Sequence, residues 1–237
     1  MLPILPDKLK SVSIEKVVVG PWTTNCYLVV IDGGSSTVVI DPGFGAFGTA
    51  NARLDDNGQT LAGVVSTHGH VDHIADAARL ANDAGVPMWL HGGDDFMATT
   101  PSAGIGSQSA PLIISLLGRD ALPAASQRVD LVESDAIEVA GLRFGVHHTP
   151  GHTPGSVVLT LDDGGEPVAF TGDTLFAGSI GRTDLPGGDM TALKASLRRL
   201  LALDDETRIL PGHGPSTTLG RERRRNPYLQ ESFLEMN

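Results

Sequence analysis

Apolar and polar positions along the chain alternate with two periods. Short runs rich in Val and Ile at residues 14–19, 25–31 and 37–40 read as strands. Pro21, Asp32-Gly33-Gly34 and Asp41-Pro42-Gly43 punctuate them, which predicts an antiparallel opening. Residues 62–66 form a continuous apolar run, as a buried strand does. Residues 74–84 carry Ile74, Ala77, Ala78 and Ala81 at helical spacing, with Gly85 as a stop and Pro87 beyond it. Residues 88–91 read as a strand. Strand signals resume at 137–139, 142–147, 156–161 and 168–171. A helix is predicted over 190–203, with Leu193, Leu197, Leu200 and Leu201 on one face, and 208–210 is a last short strand.

Two stretches resist this reading. Residues 92–128 hold several prolines and glycines and one amphipathic candidate at 110–117, so they read as a mostly irregular insertion of functional or mobile character. The polar tail at 219–237 reads as partly helical, interrupted at Pro227. Strand runs followed by helices suggest sheets packed face to face with helices outside, in one domain spanning residues 1–237.

Composition narrows the class. The chain has 237 residues, 41% hydrophobic and 19% charged, which is ordinary for a globular protein able to bury a core without staples. A formal charge of −11 argues against nucleic acid as a partner. Cys26 is the only cysteine, so an internal disulfide is impossible, and its neighbours Tyr27 and Leu28 mark it as a core thiol. Residues 1–16 have early prolines and lack the pattern of a signal peptide, and the longest apolar stretch, at 110–117, is too short to span a bilayer. The expectation is a soluble, cytoplasmic protein with no membrane association.

The sharpest chemical feature is Thr67-His68-Gly69-His70-Val71-Asp72-His73, after a predicted buried strand and at the start of a predicted helix. Three imidazoles and a carboxylate this close cannot all be core residues; they are solvated or bound to something. Nitrogen and oxygen donors without thiolate suit zinc, iron, manganese or nickel. Three further loops, each at a strand end and flanked by Gly or Pro, add His152, Asp173 and His213. Alone, each of these three is as well explained by turn chemistry; together with the His-rich loop they read as ligands. His91, His147 and His148 read as strand residues instead.

These four loops, in this order and with Asp41-Pro42-Gly43 before them, resemble the metallo-β-lactamase superfamily over almost the whole chain. The resemblance implies an α/β (α+β) fold, a four-layer αββα sandwich with a metal site at one edge. It implies a first metal site of His68, His70 and His152, a second of Asp72, His73 and His213, and Asp173 as the carboxylate bridging both. Asp72 and Asp173 are then also the expected catalytic residues, and Asp41 the aspartate that fixes the ligand loop. Within the superfamily the chain resembles the short bacterial glyoxalase II (hydroxyacylglutathione hydrolase) branch, through Thr24-Asn25-Cys26-Tyr27-Leu28, the Pro150-to-Ser156 loop and Gly178-Ser179-Ile180-Gly181-Arg182. That group has a basic residue at the Arg182 position contacting a carboxylate of the thiol.

The short stretch after His213 and the long one between His73 and His152 depart from the long-form enzymes, so residues 92–128 are expected to supply part of the acceptor pocket. Two divalent metal ions are expected, zinc first, with iron or manganese acceptable to the same ligands. The expected activity is hydrolysis of a small-molecule thioester by a metal-activated hydroxide, with Arg182 and the Arg221–Arg225 cluster as carboxylate contacts. The alternatives are a mono-iron persulfide dioxygenase using His68, His152 and Asp173, or another hydrolase of the superfamily.

Overall fold

A computed structural model describes residues 11–235. The first ten residues, on which part of the N-terminal reading rests, and the last two of the tail lie outside the described residues. The first half runs β1 (Val12–Val19), β2 (Thr24–Ile31), β3 (Ser36–Ile40), α1 (Ala46–Asp56), β4 (Thr60–Val65), α2 (Val71–Ile74), α3 (Ala77–Ala84), β5 (Met88–Leu90), α4 (Asp95–Ala98), α5 (Gly106–Leu117) and β6 (Arg128–Asp130). The second half runs β7 (Ser134–Val139), β8 (Leu142–His148), β9 (Val157–Asp163), β10 (Glu166–Gly172), β11 (Leu175–Phe176), β12 (Ser179–Ile180), α6 (Met190–Leu200), β13 (Arg208–Pro211), β14 (Thr217–Thr218), α7 (Leu219–Arg225) and α8 (Glu231–Leu234).

One sheet has the order β1-β2-β3-β4-β5-β6, the other β14-β13-β10-β9-β8-β7. The opening β1–β2–β3 meander is antiparallel, as the turn residues predict, and β3, β4, β5 and β6 then pair in parallel. Alternation along each central strand sorts side chains between two cores. On the inner faces Tyr27, Val29, Val38, Ile40 and Val65 meet Phe144, Leu159, Val168, Phe170 and Leu210 from the opposite sheet. On the outer faces Val64, Met88 and Leu90 take α2 and α3, and Val158, Ala169 and Ile209 take α6 to α8. Strands covered on both faces explain the near-continuous apolar runs. The result is the four-layer αββα arrangement.

Several predicted elements need correction. The helix expected over 74–84 is broken, because the Asp76 N–H donates to Pro42 O at 3.1 Å instead of continuing the α2 ladder. Its carboxylate accepts from Phe47 N at 3.0 Å, tying α3 to the start of α1. The helix predicted to run to 203 ends at Leu200, with turns following. Residues 92–128 are not mostly irregular: short 3-10 turns at Gly92–Asp94 and Pro101–Gly104 join α4, α5 and β6. Turns this short carry too few positions for a periodic signal. Helix α1 escaped detection because Gly48 and its polar neighbours blur its apolar face.

Candidate metal centre

All the candidate loops leave the strands at one end of the sandwich. His68 and His70 follow β4, Asp72 and His73 ride on α2, and His152, Asp173 and His213 follow β8, β10 and β13. His70 is the N-cap of α2, extended at φ −66° and ψ 144°, which lets its ring project beside that of His68 before the helix turns Asp72 and His73 away. Helix α6 steadies the His152 loop: Asp189 N donates to Gly151 O and Ser196 Oγ to Pro150 O, each at 2.8 Å.

Donor atoms of all seven predicted residues converge. One set is His68, His70 and His152; another is Asp72, His73 and His213; His68, His73 and Asp173 form a third that joins them, each set lying within 4.8 Å. Asp173 Oδ2 is 3.5 Å from His152 Nε2 and 3.6 Å from His213 Nε2, while its Oδ1 is 3.4 Å from His73 Nε2. Asp72 Oδ2 accepts from His213 Nε2 at 3.1 Å. The structure thus gathers every residue the sequence nominated as a ligand.

Hydrogen bonds assign the tautomers. Asp41 accepts from Thr67 N and Thr67 Oγ1, both at 2.7 Å, and from His73 Nδ1 at 3.0 Å. Thr67 Oγ1, its proton spent on Asp41, accepts from His68 Nδ1 at 3.1 Å. One carboxylate therefore leaves a lone pair on Nε2 of His68 and turns Nε2 of His73 inward. His70 Nε2 donates to Gly104 O at 3.1 Å and His152 Nδ1 to Arg182 O at 2.8 Å. The inward nitrogens of these two rings, His70 Nδ1 and His152 Nε2, are then lone pairs only 2.8 Å apart. His68 Nε2, buried beside them, makes no hydrogen bond. Facing lone pairs and an orphaned buried acceptor are what a cation would satisfy, so this donor set fits a metal.

Electrostatics divides the centre in two. Burial pushes His68 well below the ordinary imidazole value and His70 down to about 3, so both offer neutral nitrogens at pH 7. Burial opposes charge on His73 too, but Asp72, Asp173 and Asp41 outweigh it and hold His73 well above the usual value. Burial also works against Asp72 and Asp173, and the positive charge of His73 overcomes it, keeping both ionised. A cation held by this acidic half would take the place of the proton on His73.

Sequence reasoning missed three contributors. Asp94, fully buried, accepts from Gly69 N and Thr153 Oγ1 at 2.7 Å and from Gly155 N at 2.6 Å, so it clasps the loops of His70 and His152 together. Gly104 orients His70 through its carbonyl. Trp22 lines the cavity over the donors together with Ile105, Leu112 and Ile113, so residues 92–128 do form part of the pocket. No motif marks these positions, since their roles arise only when distant loops close. Arg182 lines the same cavity, but its guanidinium donates to Asp184 at 2.7 and 2.6 Å. In the Arg221–Arg225 run, Arg223 and Arg224 pair with Asp205, and none of the run lines the cavity. His91 and His148 stack on each other at 4.1 Å, outside the donor sets.

The sequence pattern of the metallo-β-lactamase superfamily matches residues 19–213. The chain belongs to that superfamily. A member from Haemophilus influenzae, hydroxyacylglutathione hydrolase GloC, is 34% identical over 92% of this chain and 98% of its own. Among solved members, the B3 metallo-β-lactamase BLEG-1 superposes with a TM-score of 0.80 at 34% identity, covering 92% of this chain and 99% of that one. TTHA1623, in a di-iron-bound form, gives a TM-score of 0.73 at 39% identity over 91% of this chain and 100% of that one. Membership makes a metallohydrolase centre the expected occupant of this edge of the sandwich, and the donor geometry agrees with a pair of ions there.

Proposed function

We propose that the chain is a dinuclear metallohydrolase that cleaves the thioester of a low-molecular-weight thiol. The observation that carries this reading is the convergence of two three-residue donor sets on Asp173, with the outward nitrogens of His68, His70, His73 and His152 all committed to oxygen. His68, His70 and His152 would hold one ion, Asp72, His73 and His213 the other, and Asp173 would reach both. Two divalent cations here would bring a water's pKa toward neutrality and polarise a substrate carbonyl. Zinc is the first candidate, with iron or manganese suited to the same donors.

The chain's own residues supply placement. Asp41, Thr67 and the carbonyls of Gly104 and Arg182 hold the imidazoles in fixed tautomers while Asp94 clasps their loops, so little reorganisation accompanies reaction. Asp72 and Asp173, both ionised, would be the carboxylates available to accept a proton from water. Trp22, Ile105 and Ile113 screen one side from solvent. A thiolate leaves without protonation, so no strong general acid is required, which suits a wall that offers none.

Likeness to GloC supports the thioester reading; likeness to BLEG-1 supports β-lactam opening as the second. Assay of metal-loaded protein against a thioester panel and a chromogenic cephalosporin decides between them. Thioester turnover exceeding cephalosporin turnover by orders of magnitude is expected. His70→Ala or Asp173→Ala should abolish turnover and lower the metal content. Full thioester turnover by metal-free protein would overturn the proposal.

A further inference from the structure

We infer that the substrate presents a sizeable apolar acyl group to this centre and that its thiol carrier is not selected through carboxylates. The inference rests on the thioester reading above and narrows it. A cavity of about 320 Å³ opens over the donor atoms. One side of it is built from Trp22, Ile105, Leu112, Ile113 and Leu185. This wall is anchored. Trp22 packs edge-on against Phe44 at 6.3 Å, and Ile113 is buried in a cluster with Val71 and Ala75, the first residue and the C-cap of the helix that carries Asp72 and His73. Val71, between His70 and Asp72, itself lines the cavity, so apolar surface reaches the reacting edge, with Ser109 the one polar residue that α5 adds to the lining. Leu112 lies outside this cluster, lines the cavity and is 58% exposed, so its side chain is open to contact by a substrate.

Charge on the pocket points the same way. Among the described residues, Arg182 is the one Lys or Arg lining the cavity. A carboxylate recognised bidentately needs a free guanidinium fork. Here Nε and Nη2 of Arg182 already donate to the two oxygens of Asp184, at 2.7 and 2.6 Å. A substrate carboxylate competing for that fork would leave Asp184 unpaired beside it. A thiol bearing several carboxylates therefore finds one lining cation, its fork already shared with Asp184, whereas an aliphatic or aryl acyl chain finds a complementary surface.

The test is the specificity of metal-loaded protein toward acetyl, butyryl, hexanoyl, octanoyl and phenylacetyl thioesters of N-acetylcysteamine, with the hexanoyl ester of glutathione beside them. The expectation is a rise in kcat/KM of about three- to fourfold per added methylene until the cavity is filled. The two hexanoyl esters should differ by less than about threefold, since the carrier's carboxylates find no free fork. Leu112→Ser should flatten the chain-length series and Leu112→Met should restore it, with unchanged melting temperatures showing that both variants fold. A readout independent of turnover is quenching of Trp22 fluorescence by S-octyl-N-acetylcysteamine, a thioether with no bond to hydrolyse; Trp22→Phe should remove that signal and leave the contribution of Trp89. Thioester turnover with a flat chain-length series, or a preference of about tenfold or more for the glutathione ester, overturns this inference and leaves the hydrolase reading standing. Absence of turnover on every thioester, with cephalosporin opened, overturns both.

Discussion

Asp41 stands in the left-handed region at φ 53°, where a residue other than glycine is strained. Three hydrogen bonds to Thr67 and His73 over-determine it there. Asp41→Asn keeps the shape and tolerates the same backbone, but its amide meets these three donors with a single acceptor oxygen. The expected outcome is a metal affinity lower by about ten- to a hundredfold, measured by competition with a chromophoric chelator, with the fold retained. Gly43 and Gly212 matter at this scale for a different reason. A Cβ on Gly43 would meet the Asp72 backbone, and one on Gly212 would meet the Asp173 carboxylate and the His73 ring. Gly212→Ala should therefore displace Asp173 and reduce the bound metal below that of the native chain, read by elemental analysis of the dialysed protein. At this scale the sequence was most legible. The seven donors stand out because Gly and Pro neighbours leave their strand-end loops no apolar role. Asp94 does not stand out, because its partners Gly69, Thr153 and Gly155 come from loops far away in the chain.

Elements explain how those loops hold their spacing. Parallel pairing of β3 with β4 places Asp41 beside Thr67, and parallel pairing of β10 with β13 places Asp173 beside His213. Between the sheets, Asp94 acts as a clasp at the start of α4. Asp94→Ala leaves Gly69 N and Gly155 N without their acceptor in a buried site, while Thr153 Oγ1 keeps Ser156 Oγ, a loss of about 3 kcal/mol in unfolding free energy. Urea titration of the metal-free variant against the metal-free native chain measures that loss apart from any effect on the ions. Long strands buried on both faces, such as β2, β9 and β10, were readable from their own near-continuous apolar runs. Helix α1, strand β6 and the short turns of residues 92–128 were not, because they are fixed by what they pack against: Leu54 and Ala50 against the first sheet, and Met97 beneath Gly104. The split between α2 and α3 has the same origin, since one N–H diverted to Pro42 outweighs a continuous helical pattern.

Across the whole molecule the sheet-to-sheet core and the metal edge are separable. Phe144, Phe170, Leu159 and Val168 are buried between the sheets and belong to none of the donor sets. Chelation should abolish turnover while far-UV circular dichroism stays native, with a melting temperature lower by the linkage term of the lost ions. Phe144→Ala should do the reverse, lowering stability by about 3–5 kcal/mol while leaving the ion stoichiometry of the folded fraction intact. The layered architecture was anticipated from strand runs followed by helices; the pocket's character was not, because α5 reaches it only through tertiary packing. That helix and the turn before it form one ribbon with two duties: Gly104 steadies an imidazole, and Leu112 shapes the cleft eight residues on. Selectivity and grip on the ion are thus mechanically linked. A lineage that recuts this ribbon for a new substrate retunes its appetite for metal in the same stroke.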